Sequence, residues 1–248
     1  MRLNGMNAVV VGGSSGIGAT IAEGFAREGA RVAIIGRRPE KIDATLASLQ
    51  QATKSAIGKA ADMRGKRACA EAIDEVVSKL GPLDILVNSQ GITIVKPSAE
   101  LSEAEYLDVI DTDLNSVFFC CQAAYPHMKR NGGAIISIAS IAGHRGWPLA
   151  AHYAASKHGV LGLTRTLATE WASDKIRVNS ISPGYFHTEL TSTLAPERVA
   201  LATSRTPMAR FGELSELVGT AVYLASKDAS YVTGTDIAVD GGFLAKGL

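Results

Sequence analysis

The chain has 248 residues, of which 46% are hydrophobic and 20% charged, with 25 glycines. That length suits one large domain or two small ones, with a core that needs neither disulfides nor a structural metal, and the composition excludes a disordered chain. A net charge of +1 gives no pull towards nucleic acid or a membrane surface, and no stretch approaches the roughly 20 apolar residues that span a bilayer.

In chain order, Ala8–Val11 predicts a strand and Gly16–Glu28 the helix after it. Arg31–Ile35 is a strand rich in β-branched residues, and Pro39–Gln51 a helix with proline in its first turn. A weaker strand, Ser55–Ala60, precedes the helix Lys66–Leu80, whose apolar side recurs at Ala72, Ile73, Val76, Val77 and Leu80. Leu83–Val87 is a strand. Asn115–Arg130 reads as a helix closed by Asn131-Gly132-Gly133, and Ala134–Ile138 as the next strand. Ala151–Ala172 is the longest helix. Ile176–Ile181 is a strand stopped by Pro183-Gly184, Glu213–Ala225 a helix and Asp236–Val239 the last strand.

This alternation implies an α/β fold: a single doubly wound domain over residues 1–248, its mainly parallel seven-stranded sheet flanked by helices on both faces. The segment Tyr185–Arg210 breaks the alternation and is expected to form a substrate lid. Cys69, Cys120 and Cys121 are too few for a disulfide framework and read as buried, reduced thiols. The first apolar run, Ala8–Val11, is shorter than the core of a secretory signal, so a cytoplasmic protein is expected.

Gly12-Gly13-Ser14-Ser15-Gly16-Ile17-Gly18 joins the first strand to the first helix. Glycines there allow a tight turn and let backbone amides approach a phosphate, while the helix N-terminus adds free N–H groups and a positive dipole end. A dinucleotide is the expected ligand. The same residues fit the G-x-S-x-G nucleophile elbow around Ser14, but the five histidines give no guidance to its partners and an elbow on the first strand would be unusual. They also have P-loop glycine spacing, but Ala19-Thr20 follows where Lys-Ser/Thr is needed. Twenty positions after Gly16, where an NAD site would carry an acid, stand Gly36, Arg37 and Arg38. With two cations and no carboxylate, NADP(H) is the preferred nucleotide and NAD(H) a possible one.

Tyr153 and Lys157 lie four apart on the longest helix and share a face. A free tyrosine is a poor base at neutral pH, but a neighbouring ammonium favours its phenolate and lets it exchange a proton with an alcohol oxygen. Ser140 follows the strand Ala134–Ile138, where a hydroxyl can hold a carbonyl oxygen as it gains charge. The five histidines form no metal constellation, and no metal is expected.

With these motifs in order along nearly the whole chain, the sequence resembles the short-chain dehydrogenase/reductase family, of Rossmann-type fold. Gly12, Gly16, Ile17 and Gly18 match its cofactor turn. Ser140 with Tyr153-x-x-x-Lys157 matches its catalytic set, at the expected interval of 13 residues. Asn115, in Asp113-Leu114-Asn115, matches an asparagine that supports a water-linked proton relay. Asp62 matches an aspartate near adenine. Asn179, Pro183, Gly184 and Thr188 match the strand and loop at the nicotinamide end, and Asp240-Gly241-Gly242 the C-terminal ending. The resemblance implies a nucleotide site that also includes Ser14, Ser15, Asn88 and Gly91, besides Arg37 and Arg38. Val11 and Asn88-Ser89-Gln90-Gly91 depart from the family's usual residues.

The resemblance further implies reversible hydride transfer and a homotetramer. Tyr153 would be the general acid or base, Lys157 its activator and ribose ligand, and Ser140 the support of the reacting oxygen. Leu167–Ala172 and Ser182–Leu190 look most like the gluconate 5-dehydrogenase and sugar or polyol dehydrogenase branch, with Arg145, Trp147 and His187 as candidate site walls. The alternatives are a 3-oxoacyl carrier-protein reductase, for which Lys129-Arg130 would be the basic patch, and a non-catalytic NADP-binding sensor.

Overall fold

In the computed structural model, which describes all residues except 54, 190, 193, 247 and 248, seven strands form one parallel sheet. They are β1 (Asn7–Val11), β2 (Arg31–Gly36), β3 (Ile57–Ala60), β4 (Ile85–Asn88), β5 (Gly133–Ile138), β6 (Ile176–Pro183) and β7 (Asp236–Val239). Their spatial order is β3-β2-β1-β4-β5-β6-β7, and every neighbouring pair runs parallel. The chain winds outward from β1 to β3, then returns to the other side of β1 with β4. This reversal opens a crevice at the carboxyl ends of β1 and β4.

Side chains alternate across a strand, so each strand feeds both faces. On one face Val9 and Val11 pack with α3 (Lys66–Leu80), α5 (Ser116–Met128) and α6 (Ala151–Glu170). On the other, Ala8 and Val10 pack with α1 (Gly16–Arg27), α2 (Pro39–Leu49) and α8 (Val218–Ala225). Both faces are covered, which is why the central strands read as unbroken apolar runs rather than alternating ones.

The predicted helix Asn115–Arg130 appears as α5 (Ser116–Met128), and the main correction lies in what precedes it. The structure has a helix α4 (Glu103–Ile110), a five-residue π turn Asp111–Asn115, and α5 beginning at Ser116. Ser102 and Glu105 cap α4 reciprocally, a Ser-x-x-Glu signal present in the sequence but not read. The segment Tyr185–Arg210, expected to form a lid, contains a helix, α7 (Pro196–Arg205), and the predicted helix Glu213–Ala225 opens as a 3-10 turn, Leu214–Leu217. Strand β6 runs on to Pro183, where the missing N–H falls at the strand's last residue. Among the described residues no helix is long and apolar enough to cross a membrane.

Candidate active site

The crevice is a cavity of about 500 Å³. Its floor is the turn between β1 and α1. Gly12 has φ +74°, and a Cβ there would lie 2.6 Å from the backbone of Ser89 and Gln90. A Cβ on Gly18 would overlap the carbonyl oxygen of Gly12. Strand, turn and helix therefore meet backbone to backbone, which only glycine permits. Ser15 precedes α1 without capping it, so the first-turn N–H groups lack a side-chain partner beside Gly16, Ile17 and Gly18 on the cavity wall. Such a cradle fits a pyrophosphate.

The other elements deliver side chains to the same space. Ser14, Ser15, Arg37, Arg38, Asp62, Gly91, Ser140, Tyr153, Lys157, Pro183, Gly184 and Thr188 all line it. Every strand of the central sheet that ends there contributes from its carboxyl end, as the topology requires.

Two of the residues expected in the catalytic and nucleotide sites, Asn88 and Asn115, do not line the cavity. Asn88 is buried with its amide donating to Cys121 Sγ (3.3 Å) and Ser137 Oγ (3.4 Å), so it braces β4 against α5 and β5. The amide of Asn115 donates to Asp111 Oδ1 at 2.7 Å, within the π turn, whereas Lys157 pairs with Ile138 O and Asp113. Asn179 likewise supports the fold, donating to Val232 O (3.0 Å) and accepting from Thr235 N (3.1 Å). Arg145, Trp147 and His187 are also not cavity walls. They join an aromatic cluster: Arg145 lies 5.5 Å over Phe243, Trp147 6.0 Å from Tyr185, and His187 5.1 Å from Phe211.

The cations at the end of β2 are partly engaged. Arg38 donates to Ser15 Oγ (3.2 Å) and to Glu189 (3.1 Å) from the segment after β6, and Lys41 pairs with the same carboxylate. Lys41 and then Arg38 hold the Glu189 carboxyl below the usual range. Asp62 accepts from Arg64 Nε at 3.0 Å, and that hydrogen bond holds its carboxyl low. Glu189, Lys41 and Arg64 were not read as site residues. Glu189 and Arg38 are 151 positions apart, so no local pattern joins them.

At the catalytic end, Ser140 accepts from Ala142 N at 3.1 Å and caps the turn Ile141–Gly143, which fixes its position. Lys157 Nζ lies 5.5 Å from the centre of the Tyr153 ring, donates to Ile138 O at 3.2 Å, and stands 3.2 Å from Asp113 Oδ2. Burial works against the lysine's charge, but the combined attraction of Asp113 and Tyr153 outweighs it and holds Lys157 above its ordinary value. Burial pushes Asp113 up, against the pull of Lys157 and the Ile92 N–H. The lysine starts from far the higher value, so it keeps the proton.

Comparison with known proteins bears on what this cavity does. A protein-family profile described as enoyl-(acyl carrier protein) reductase matches residues 11–244. The gluconate 5-dehydrogenase of Gluconobacter oxydans (strain 621H) is 37% identical over 243 residues, 97% of this chain and 95% of that protein. The 3-oxoacyl-(acyl-carrier-protein) reductase FabG of Staphylococcus aureus (strain Mu50) is 40% identical over 238 residues, 95% of this chain and 97% of that one. The crystal structure of a gluconate 5-dehydrogenase from Burkholderia cenocepacia J2315, in complex with NADP and tartrate, superposes with a TM-score of 0.95 at 34% identity, covering 99% of this chain and 98% of that one.

Proposed function

The chain belongs to the short-chain dehydrogenase/reductase family, and from that premise we propose that it interconverts a secondary alcohol and a ketone on a sugar acid or polyol. The observation that carries the reading is one cavity that holds Ser140, Tyr153 and Lys157 together with a glycine cradle and Arg37 and Arg38. The enzyme is an NADP-type oxidoreductase, and bound NADP(H) accepts or supplies the hydride with its electron pair. In oxidation the Tyr153 oxygen takes the alcohol proton, and in reduction it returns one to the carbonyl oxygen. Ser140 holds that oxygen while its charge changes, and Lys157 favours the phenolate. The first turn of α1 holds the pyrophosphate and Arg37 and Arg38 the 2′-phosphate. Residues 185–210 cover the substrate, with Thr188 on the cavity wall; positions 190 and 193 of that lid lie outside the described residues.

A sugar acid is favoured by full-length similarity to the two gluconate 5-dehydrogenases. The second reading, a 3-oxoacyl carrier-protein reductase, is favoured by the 40% identity to the staphylococcal enzyme. Its expected basic patch is misplaced. Lys129 and Arg130 follow α5 and precede β5, at the amino edge of the sheet, opposite the cavity. A substrate panel separates the two. Gluconate oxidised with NADP⁺ is expected to exceed acetoacetyl thioester reduction by roughly 100-fold in kcat/KM, and the reverse ratio would transfer the assignment to the second reading.

We also infer a cytoplasmic homotetramer built on α5 and α6. Leu161 and Leu167 are taken up by the chain's own core, whereas Phe118 and Leu163 stay partly exposed. Sedimentation at the mass of one chain would contradict it.

A further inference from the structure

The π turn places an unexpected group beside the lysine. Asp113 has no exposed side-chain surface; Oδ1 accepts from Ile92 N at 2.8 Å, and Oδ2 stands 3.2 Å from Lys157 Nζ without any aligned hydrogen bond. There is little room for it to turn, since a Cβ on Gly91 would lie 2.9 Å from Oδ2. An ionised carboxylate buried this deeply is costly unless a charge opposes it. An asparagine would satisfy the Ile92 N–H equally well. What the carboxylate adds is a negative charge facing the ammonium.

We propose that Asp113 is a positioning residue for the reaction, one that seats the Lys157 ammonium and sets how much of its charge acts on Tyr153. The inference rests on the hydride-transfer reading above. Lys157 Nζ is held between Asp113 and the Ile138 carbonyl, so the lysine is fixed from two elements while it faces the Tyr153 ring. Because Asp113 offsets the lysine's charge, the phenolate is favoured less than a lone ammonium would favour it. The other titratable groups at this spot are His152, buried on α6 and acting on Asp113, and Glu105 of α4, which acts on His152 and is itself tied to Lys96 at 3.0 Å. Asn115 is turned towards Asp111 and takes no part.

The test is the pH profile of kcat/KM for alcohol oxidation in Asp113→Asn and Asn115→Ala. NADPH affinity and thermal melting serve as controls, and an ultraviolet titration of phenolate uses Tyr153→Phe as its blank. In D113N the lysine's charge is no longer offset. The rising limb of the profile and the Tyr153 phenolate absorbance are expected to move to lower pH by about one unit, the size of effect for a unit charge removed a few ångströms away in a medium of intermediate polarity. N115A is expected to keep the wild-type midpoint. An unmoved midpoint in folded, NADPH-binding D113N overturns the proposal, as does a shift in N115A alone. Should D113N not fold, Asp113→Ser, which needs less space, is read the same way. If the wild type oxidises no alcohol at any pH, the hydride-transfer reading fails, and the absorbance titration still decides for or against Asp113.

Discussion

Tyr153→Phe is expected to bind NADPH within about twofold of wild type and to lose turnover by roughly 10³-fold or more. The substitution removes one hydroxyl and keeps the ring, so the contact between the ring and Lys157 Nζ survives. The glycine cradle, Arg37 and Arg38 lie on other elements and are untouched. What disappears is the atom proposed to exchange a proton with the substrate oxygen. Neither neighbour can replace it. Ser140 is held by its cap on Ala142 N, and Lys157 is buried and tied to Asp113 and Ile138. Stopped-flow or steady-state absorbance at the reduced nicotinamide band, beside a binding titration, separates the two effects. Turnover near wild type in a variant that binds NADPH would remove Tyr153 from the mechanism.

Gly18→Ala is expected to weaken NADPH and NADH alike, by about tenfold or more, and to cost about 1–3 kcal/mol of stability. The added methyl would overlap the carbonyl oxygen of Gly12, which is backbone and has no rotamer to change. Gly12 cannot retreat, because the backbone of Ser89 and Gln90 stands against it. The strain therefore passes into the whole β1–α1 turn that presents N–H groups to the cavity. Isothermal titration with both nucleotides, and a thermal melt, check the two halves. Unchanged affinity would mean that this turn is packing and not a nucleotide cradle.

How legible this molecule is depends on the range of the interaction. The apolar run of β1 and the periodic side of α3 are local and appear where the sequence puts them, α3 at the same residues Lys66–Leu80. The α/β order along the chain dictates the sheet, and with it the edge at which Ser140 and Pro183 emerge. Asn88 and Asn115 show where that ends. Motif matching places a backbone position and not a side-chain direction. Asn88 turns to Cys121 and Ser137, while the π turn sets Asp113, two residues earlier than Asn115, next to the lysine. A π turn adds a residue without breaking the helical run, so hydrophobic spacing does not betray it. Arg38 was legible as a cation after β2, but its engagement by Glu189 was not, since only the folded chain joins them.

The 2′-phosphate site proposed at Arg37 and Arg38 has a competing anion within the chain itself. Glu189 sits between Arg38 and Lys41, where its carboxylate has the charge of the phosphate these cations would hold. The direct measurement is a pair of dissociation constants, NADPH and NADH, from nucleotide fluorescence on wild type, Arg38→Ala and Glu189→Gln. NADPH is expected to bind at least about tenfold more tightly than NADH in wild type. The gap should close in R38A, which loses a cation, and widen in E189Q, which loses the competing carboxylate. NADH binding as tightly as NADPH, with no response to either substitution, would contradict the assignment of Arg37 and Arg38 to the 2′-phosphate. Binding of neither nucleotide would contradict the dinucleotide site itself.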